Sequence, residues 1–273
     1  MNRVVPGFPL SLGITLTYLS LIVLLPLGAL VWQALDIGWD RYVAILSGTR
    51  TAAAFRLTLA TAAGATLFNA VYGLALAWVL VRYEFPGKRL LDALVDIPFA
   101  LPTAVAGIAL SALFVKNGWF GGPLAAIGID VAYTPLGIAL AMAFTSIPFV
   151  VRTVQPVLED LAHDVEEAAA TLGASDRRIF ARVIFPAIFP AFLTGASLCF
   201  ARSLGEFGAI IFIAGNLPGR TEVVSLLTFI RIEEYDYPAA AAIAATLLGL
   251  AFLMLFVVNM IQLWQQRRIG TGD

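Results

Sequence analysis

Three ionisable side chains, Asp96, Arg202 and Glu206, lie within long apolar runs of the sequence. Charge at that depth is costly, so such residues face a bundle interior, a polar pathway or one another. Arg202 and Glu206 are four residues apart and share a helix face. Two readings stand side by side. Either the pair neutralises itself, or Arg202 lends positive potential to an anion crossing the bundle, since a guanidinium grips an oxyanion with two parallel hydrogen bonds. Both hold if the pair opens as the anion passes. Ser203 lies between them, and Ala201, Gly205, Gly208 and Ala209 add small side chains that let helices approach closely. Asp96 precedes Ile97-Pro98-Phe99-Ala100-Leu101-Pro102-Thr103. Pro98 and Pro102 remove backbone donors and bend a helix. The bend is either a packing kink or a place where freed carbonyls line a cavity. The candidate anion path or gate is therefore Arg202, Ser203, Glu206, Asp96, Pro98, Pro102 and Thr103. Ile147-Pro148-Phe149 followed by Thr153 echoes the same pattern and predicts a similar kink.

Other chemistry is not written in the chain. One Cys (Cys199) and one His (His163) exclude an internal disulfide and a Cys/His zinc site, and their separation disfavours a Cys–His dyad. The sequence carries no phosphate-binding Gly-rich loop with Lys, no G-x-S-x-G and no H-E-x-x-H. No catalytic residue, metal ligand or cofactor site is expected. Basic residues are few and scattered, so nucleic acid is not expected as a partner.

Long apolar helices must position these residues. Of 273 residues, 60% are apolar and 13% charged, against about 45–50% and about 25% in soluble domains. Crossing the hydrocarbon takes about 20 mostly apolar residues. Six segments qualify, at about 10–35, 57–81, 93–115, 135–151, 187–214 and 238–264. The chain is expected to be an all-α polytopic membrane protein with one transmembrane domain, residues 1–273. The first run is too long for a signal-peptide core and is read as a retained helix. Counting Lys and Arg by loop sets the orientation. The N-terminus (Arg3), the second and fourth loops and the C-terminus (Arg267, Arg268) hold ten, and the opposite side holds six. Both termini are thus expected in the cytoplasm.

The longest connection, Arg152 to Pro186, is patterned, with a candidate coupling loop at about 158–186. Leu158, Leu161, Val165, Ala168, Ala169 and Leu172 form one helical stripe, while Glu159, Asp160, His163, Asp164 and Glu167 lie opposite, with Glu166 at the border. Gly173 follows, where a helix closes with a left-handed residue. Ser175 or Asp176 can cap a second helix that runs past Arg177, Arg178 and Arg182 to Pro186. Two helices lying on lipid are one reading. The acidic face opposes it and favours a protein partner with a basic surface. On the other side of the membrane, residues 215–237 are a turn cluster followed by mixed charge, either a solvated loop or a docking surface.

Glu167-Ala168-Ala169, three residues, Gly173, nine residues and Val183-Ile184-Phe185-Pro186 resemble the E-A-A loop of ABC importer permeases, with Val183 and Phe185 as apolar replacements in its I-x-L-P end. The segments 201–209, 96–107, 144–159, 210–216 and 234–240, with Val5-Pro6-Gly7-Phe8 before 10–13, resemble the T-type permease subunits of bacterial sulfate/thiosulfate importers. The resemblance implies a type I importer permease in the bacterial inner membrane that moves the anion by alternating access. It also implies an ATPase-coupling loop at Glu167, Ala168, Ala169, Gly173, Val183, Phe185 and Pro186. The implied partners are two ATP-binding subunits that carry ATP and Mg, a related W-type permease, a periplasmic sulfate/thiosulfate-binding protein and membrane lipid. A molybdate or tungstate permease is the nearest alternative. A gradient-driven secondary transporter or an intramembrane enzyme leaves the patterned loop or the missing catalytic groups unexplained.

Overall fold

The structure, a computed structural model, describes residues 7–269, and among them there is helix and no strand. Arg3 and the Val5-Pro6 pair lie outside the described residues. Five helices are long and apolar enough to cross a membrane: Phe8–Asp36, Thr49–Arg82, Pro135–Asp160, Asp176–Leu204 and Tyr237–Gln262. The all-α membrane fold expected from composition is present, with boundaries that differ where backbone chemistry intervenes.

The helices Thr49–Arg82, Pro135–Asp160 and Asp176–Leu204 pack against one another as the core. Small residues set their spacing. A Cβ added to Gly195 would lie 2.9 Å from Val150 Cα, so the fifth-span and fourth-span backbones nearly touch. A polar knot ties the three together. Buried Asn69 donates through Nδ2 to the Ala143 carbonyl at 2.8 Å and to Ser146 Oγ at 3.0 Å. Cys199 Sγ lies 3.1 Å from the same Ser146 hydroxyl. The helix Phe8–Asp36 buries only Ala34; its second half, Leu25–Asp36, packs along Tyr237–Ile269, and its first half faces outward, as a lipid-facing helix does.

Two segments, Ser20–Leu24 and Phe180–Ile184, widen to π geometry. Each ends shortly before a proline, Pro26 or Pro186. A proline has no N–H to return to the carbonyl four residues back, so the turn before it opens.

The third expected span, 93–115, is broken. Helices Lys88–Val95 and Ile97–Ala100 lead to an extended Leu101 (ψ 134°), and a new helix runs Thr103–Phe114. Pro102 drives its predecessor out of helical geometry. The fourth span does not echo this break. Pro148 sits inside a continuous helix, and the position matching Pro102 is Arg152. The two matching segments instead face each other, with Phe99 and Phe149 edge-on at 5.3 Å.

The fifth span stops at Leu204 rather than 214. Two glycines, Gly205 and Gly208, weaken the helix there. The Glu206 carboxylate also takes the Ala209 N–H at 2.9 Å, so the chain turns before the short helix Ile210–Ile213. Residues read as a charged loop contain a further helix, Val224–Glu233, with Val224, Leu226 and Leu227 buried. It is fastened by Thr58, whose hydroxyl accepts the Val224 N–H at 2.9 Å, and by Arg50, which forks onto buried Glu222 at 2.7 and 2.8 Å.

Candidate functional site

Local sequence builds the loop between the fourth and fifth spans as its pattern implies. Helix His163–Thr171 ends at Gly173, whose φ of 81° favours a residue without Cβ. Ala174 N–H closes onto the Ala169 carbonyl at 3.1 Å. The next helix opens at Ser175, where the backbone carbonyl accepts the Arg178 and Ile179 N–H groups and the side chain makes no cap. The apolar stripe begins later than its periodicity suggests. Leu158 belongs to the fourth-span helix and is buried, and Leu161 is the extended residue at the break. Of the rest of the stripe, Ala169 packs on the core, and Val165 is 50% and Leu172 88% exposed. Asp164, Glu167 and Ala168 are exposed with them, whereas Glu166 turns inward to an ion pair with Arg82. Val183 and Phe185 pack on the core, and Phe185 joins rings with Phe189 at 5.5 Å and Phe192 at 5.8 Å. The first half of the motif is thus open surface and the second half is anchor.

Arg202 and Glu206 meet, with Nη1 2.7 Å from Oε2. The Glu206 side chain is 1% exposed and that of Arg202 33%. This is a charge contact outside hydrogen-bond geometry, since Glu206 Oε2 has no directed donor among the described residues. The Glu206 carbonyl accepts Ser225 Oγ at 2.7 Å. The second half of the broken third span lies across this turn. A Cβ on Gly208 would meet Thr103 Oγ1 at 2.1 Å, and one on Gly107 would meet the Ala209 carbonyl oxygen at 2.4 Å. Thr103, Arg202 and Glu206 therefore share one region. Ser203 points the other way, fully buried, and donates to the Cys199 carbonyl at 2.8 Å. Pro98 is buried and Pro102 is exposed at the break.

Asp96 belongs to a separate cluster. Arg152 forks onto it at 2.8 and 2.7 Å and reaches Asp92 at 2.6 Å. A fourth span ending at 151 leaves Arg152 in the loop and Asp96 without a cation. The signal was the apolar period continuing through Val154 and Leu158, which carries the fourth-span helix past Arg152. No group of His, Cys, Asp or Glu among the described residues is arranged to hold a metal.

Residues 70–271 match the family model described as the binding-protein-dependent transport system inner membrane component. The chain belongs to that family. The permease is 55% identical over 268 residues to the sulfate transport system permease protein CysT of Escherichia coli (strain K12), covering 98% of this chain and 97% of the relative. It is equally identical, over the same shares, to CysT of Salmonella typhimurium. Among solved structures it resembles a chain of a bacterial alginate ABC transporter in complex with alginate pentasaccharide-bound periplasmic protein, at TM-score 0.75 and 18% identity over 95% of this chain and 93% of that one. That likeness concerns the fold. As a permease subunit the chain is a conduit and not an enzyme.

Proposed function

We propose that this permease forms half of the membrane pathway of an ATP-driven importer for sulfate and thiosulfate in the bacterial inner membrane. The loop helix His163–Thr171, with Val165 and Leu172 turned away from the body, carries the coupling part of the reading. An apolar stripe ringed by Asp164 and Glu167, beside small Ala168, fits a cleft in a protein with a basic rim better than a lipid surface. The substrate follows from the 55% identity with sulfate permeases over nearly the whole chain.

In this reading both termini and the loop lie in the cytoplasm. Two ATP-binding subunits hold ATP and Mg, and one docks at Glu167, Ala168, Ala169 and Gly173. A related W-type permease completes the pathway, and a periplasmic binding protein delivers the anion. Closing of the ATPase pair displaces the loop helix. Val183, Phe185 and Pro186 pass the motion into the fifth span, whose last turn carries Arg202, with Glu206 just beyond it. An entering oxyanion competes with Glu206 for the partly exposed guanidinium, so binding stays weak enough for release. The break at Pro98 to Thr103 lets the third span follow the turn it crosses. Asp96 reads best as the partner of Arg152 at the inner end, a cross-brace between the third and fourth spans.

The test is uptake of labelled sulfate into vesicles carrying the reconstituted complex and the binding protein. Uptake should require ATP, vanish with an ATPase subunit unable to bind nucleotide, and be competed by thiosulfate more strongly than by molybdate. Uptake that survives the inactive ATPase refutes an ATP-driven importer, and molybdate as the stronger competitor refutes the substrate.

A further inference from the structure

The loop helix touches the body of the permease at few places. Of its side chains, Asp164, Val165, Glu167, Ala168, Ala170 and Thr171 are exposed, whereas Glu166 and Ala169 are partly covered. Glu166 makes the charged contact. Its Oε1 accepts from Nη2 of Arg82, the last residue of the second-span helix, and the two side chains are only 21% and 10% exposed. Arg82 lies with its guanidinium carbon 5.3 Å from the centre of the Trp78 ring, one helical turn back. Trp78 in turn meets Phe180 edge-on at 5.4 Å. Phe180 opens the π segment that leads into the fifth span. One turn of the second span, Trp78 to Arg82, therefore holds both legs of the loop, one by charge and one by ring contact.

We propose that Arg82 and Glu166 are positioning residues that latch the coupling helix onto the second span. The second span then carries ATPase motion into the core in parallel with the fifth. This rests on the docking reading above. The physical case is leverage. A nine-residue helix whose other described contact with the core is Ala169 can swivel about Gly173 when pushed. A partly buried ion pair, screened from salt more than a surface pair, stops the swivel and turns the push into displacement of the second-span end. That helix packs along the fourth and fifth spans, so its displacement reaches the pathway.

The experiment uses the full reconstituted complex with binding protein and measures sulfate carried per ATP hydrolysed in Arg82→Gln, Glu166→Gln and the charge exchange Arg82→Glu/Glu166→Arg. The ATPase subunits should remain bound in both single variants, while the transport-to-hydrolysis ratio falls about fivefold or more in each. The exchange should recover part of that ratio. An unchanged ratio in both single variants overturns the latch. Release of the ATPase from Glu166→Gln also overturns it, by making Glu166 a docking contact. Glu167→Lys, run alongside, tests the docking reading by itself. A complex that assembles and transports with Glu167→Lys sinks the docking site, whereas unchanged ratios with Glu167→Lys inactive sink only the latch.

Discussion

Replacing Gly107 by Ala wedges the third span away from the turn that holds Glu206. The new Cβ would stand 2.4 Å from the Ala209 carbonyl oxygen and 2.7 Å from its Cα. Carbon pairs settle at about 3.5–4.0 Å, so the backbones must part by about 1 Å. The obstacle is main chain and cannot rotate aside. Ala209 is fully buried and its N–H is held by Glu206, so yielding stretches that hydrogen bond. Overpacking of this kind costs about 1–3 kcal/mol. Gly208→Ala should cost less, because its nearest neighbour, at 2.1 Å, is the rotatable Thr103 Oγ1. Gly205→Ala has nothing within 4 Å and a φ of −91°, so it should stay within about 0.5 kcal/mol of the parent. Thermal unfolding of the three detergent-purified variants, read by tryptophan fluorescence, should rank them in that order. Gly107→Ala should also slow sulfate uptake, since loosening Glu206 frees Arg202. Equal melting of Gly107→Ala and Gly205→Ala would refute the close approach on which the reasoning rests.

Arg202→Gln leaves the Glu206 carboxylate, 1% exposed, without its cation and should cost about 3 kcal/mol. The double variant with Glu206→Gln should regain much of that stability, yet both should lose uptake; equal melting of single and double would contradict the pairing. Leu172→Asp changes a side chain 88% exposed, so melting should shift by less than about 0.5 kcal/mol while co-purification of the ATPase subunit falls sharply. Retained co-purification would remove Leu172 from the docking face. Glu222→Gln takes the charge from a fully buried carboxylate gripped by Arg50 and should destabilise by about 1–3 kcal/mol. Arg50→Lys keeps the charge but loses the fork and should cost less, as urea unfolding in detergent can check.

Local pattern was legible and distant pairing was not. The helix–Gly–helix loop can be read because its information lies within one short segment: the stripe, Gly173 and the spacing to Pro186. Arg202 and Glu206 can be read because four residues separate them. Arg152–Asp96 and Arg50–Glu222 join residues 56 and 172 positions apart, and no periodicity carries that. Composition found the apolar runs but could not locate where a run stops being helix. Pro102 broke one and Gly205 with Glu206 ended another, while Val224–Glu233 stayed hidden because a short buried helix between charged residues looks like loop.

The placement of Cys199 has a practical consequence. It is the chain's single thiol, wholly buried between Asn69 and Ser146. A charged maleimide added to the folded permease finds no native target. Cysteines introduced one at a time in the unmodified background, at Thr171 on the loop helix or at Leu217 beyond the fifth span, should each report which side of the bilayer they face. Brief unfolding then exposes Cys199 as an internal standard for the amount of protein labelled.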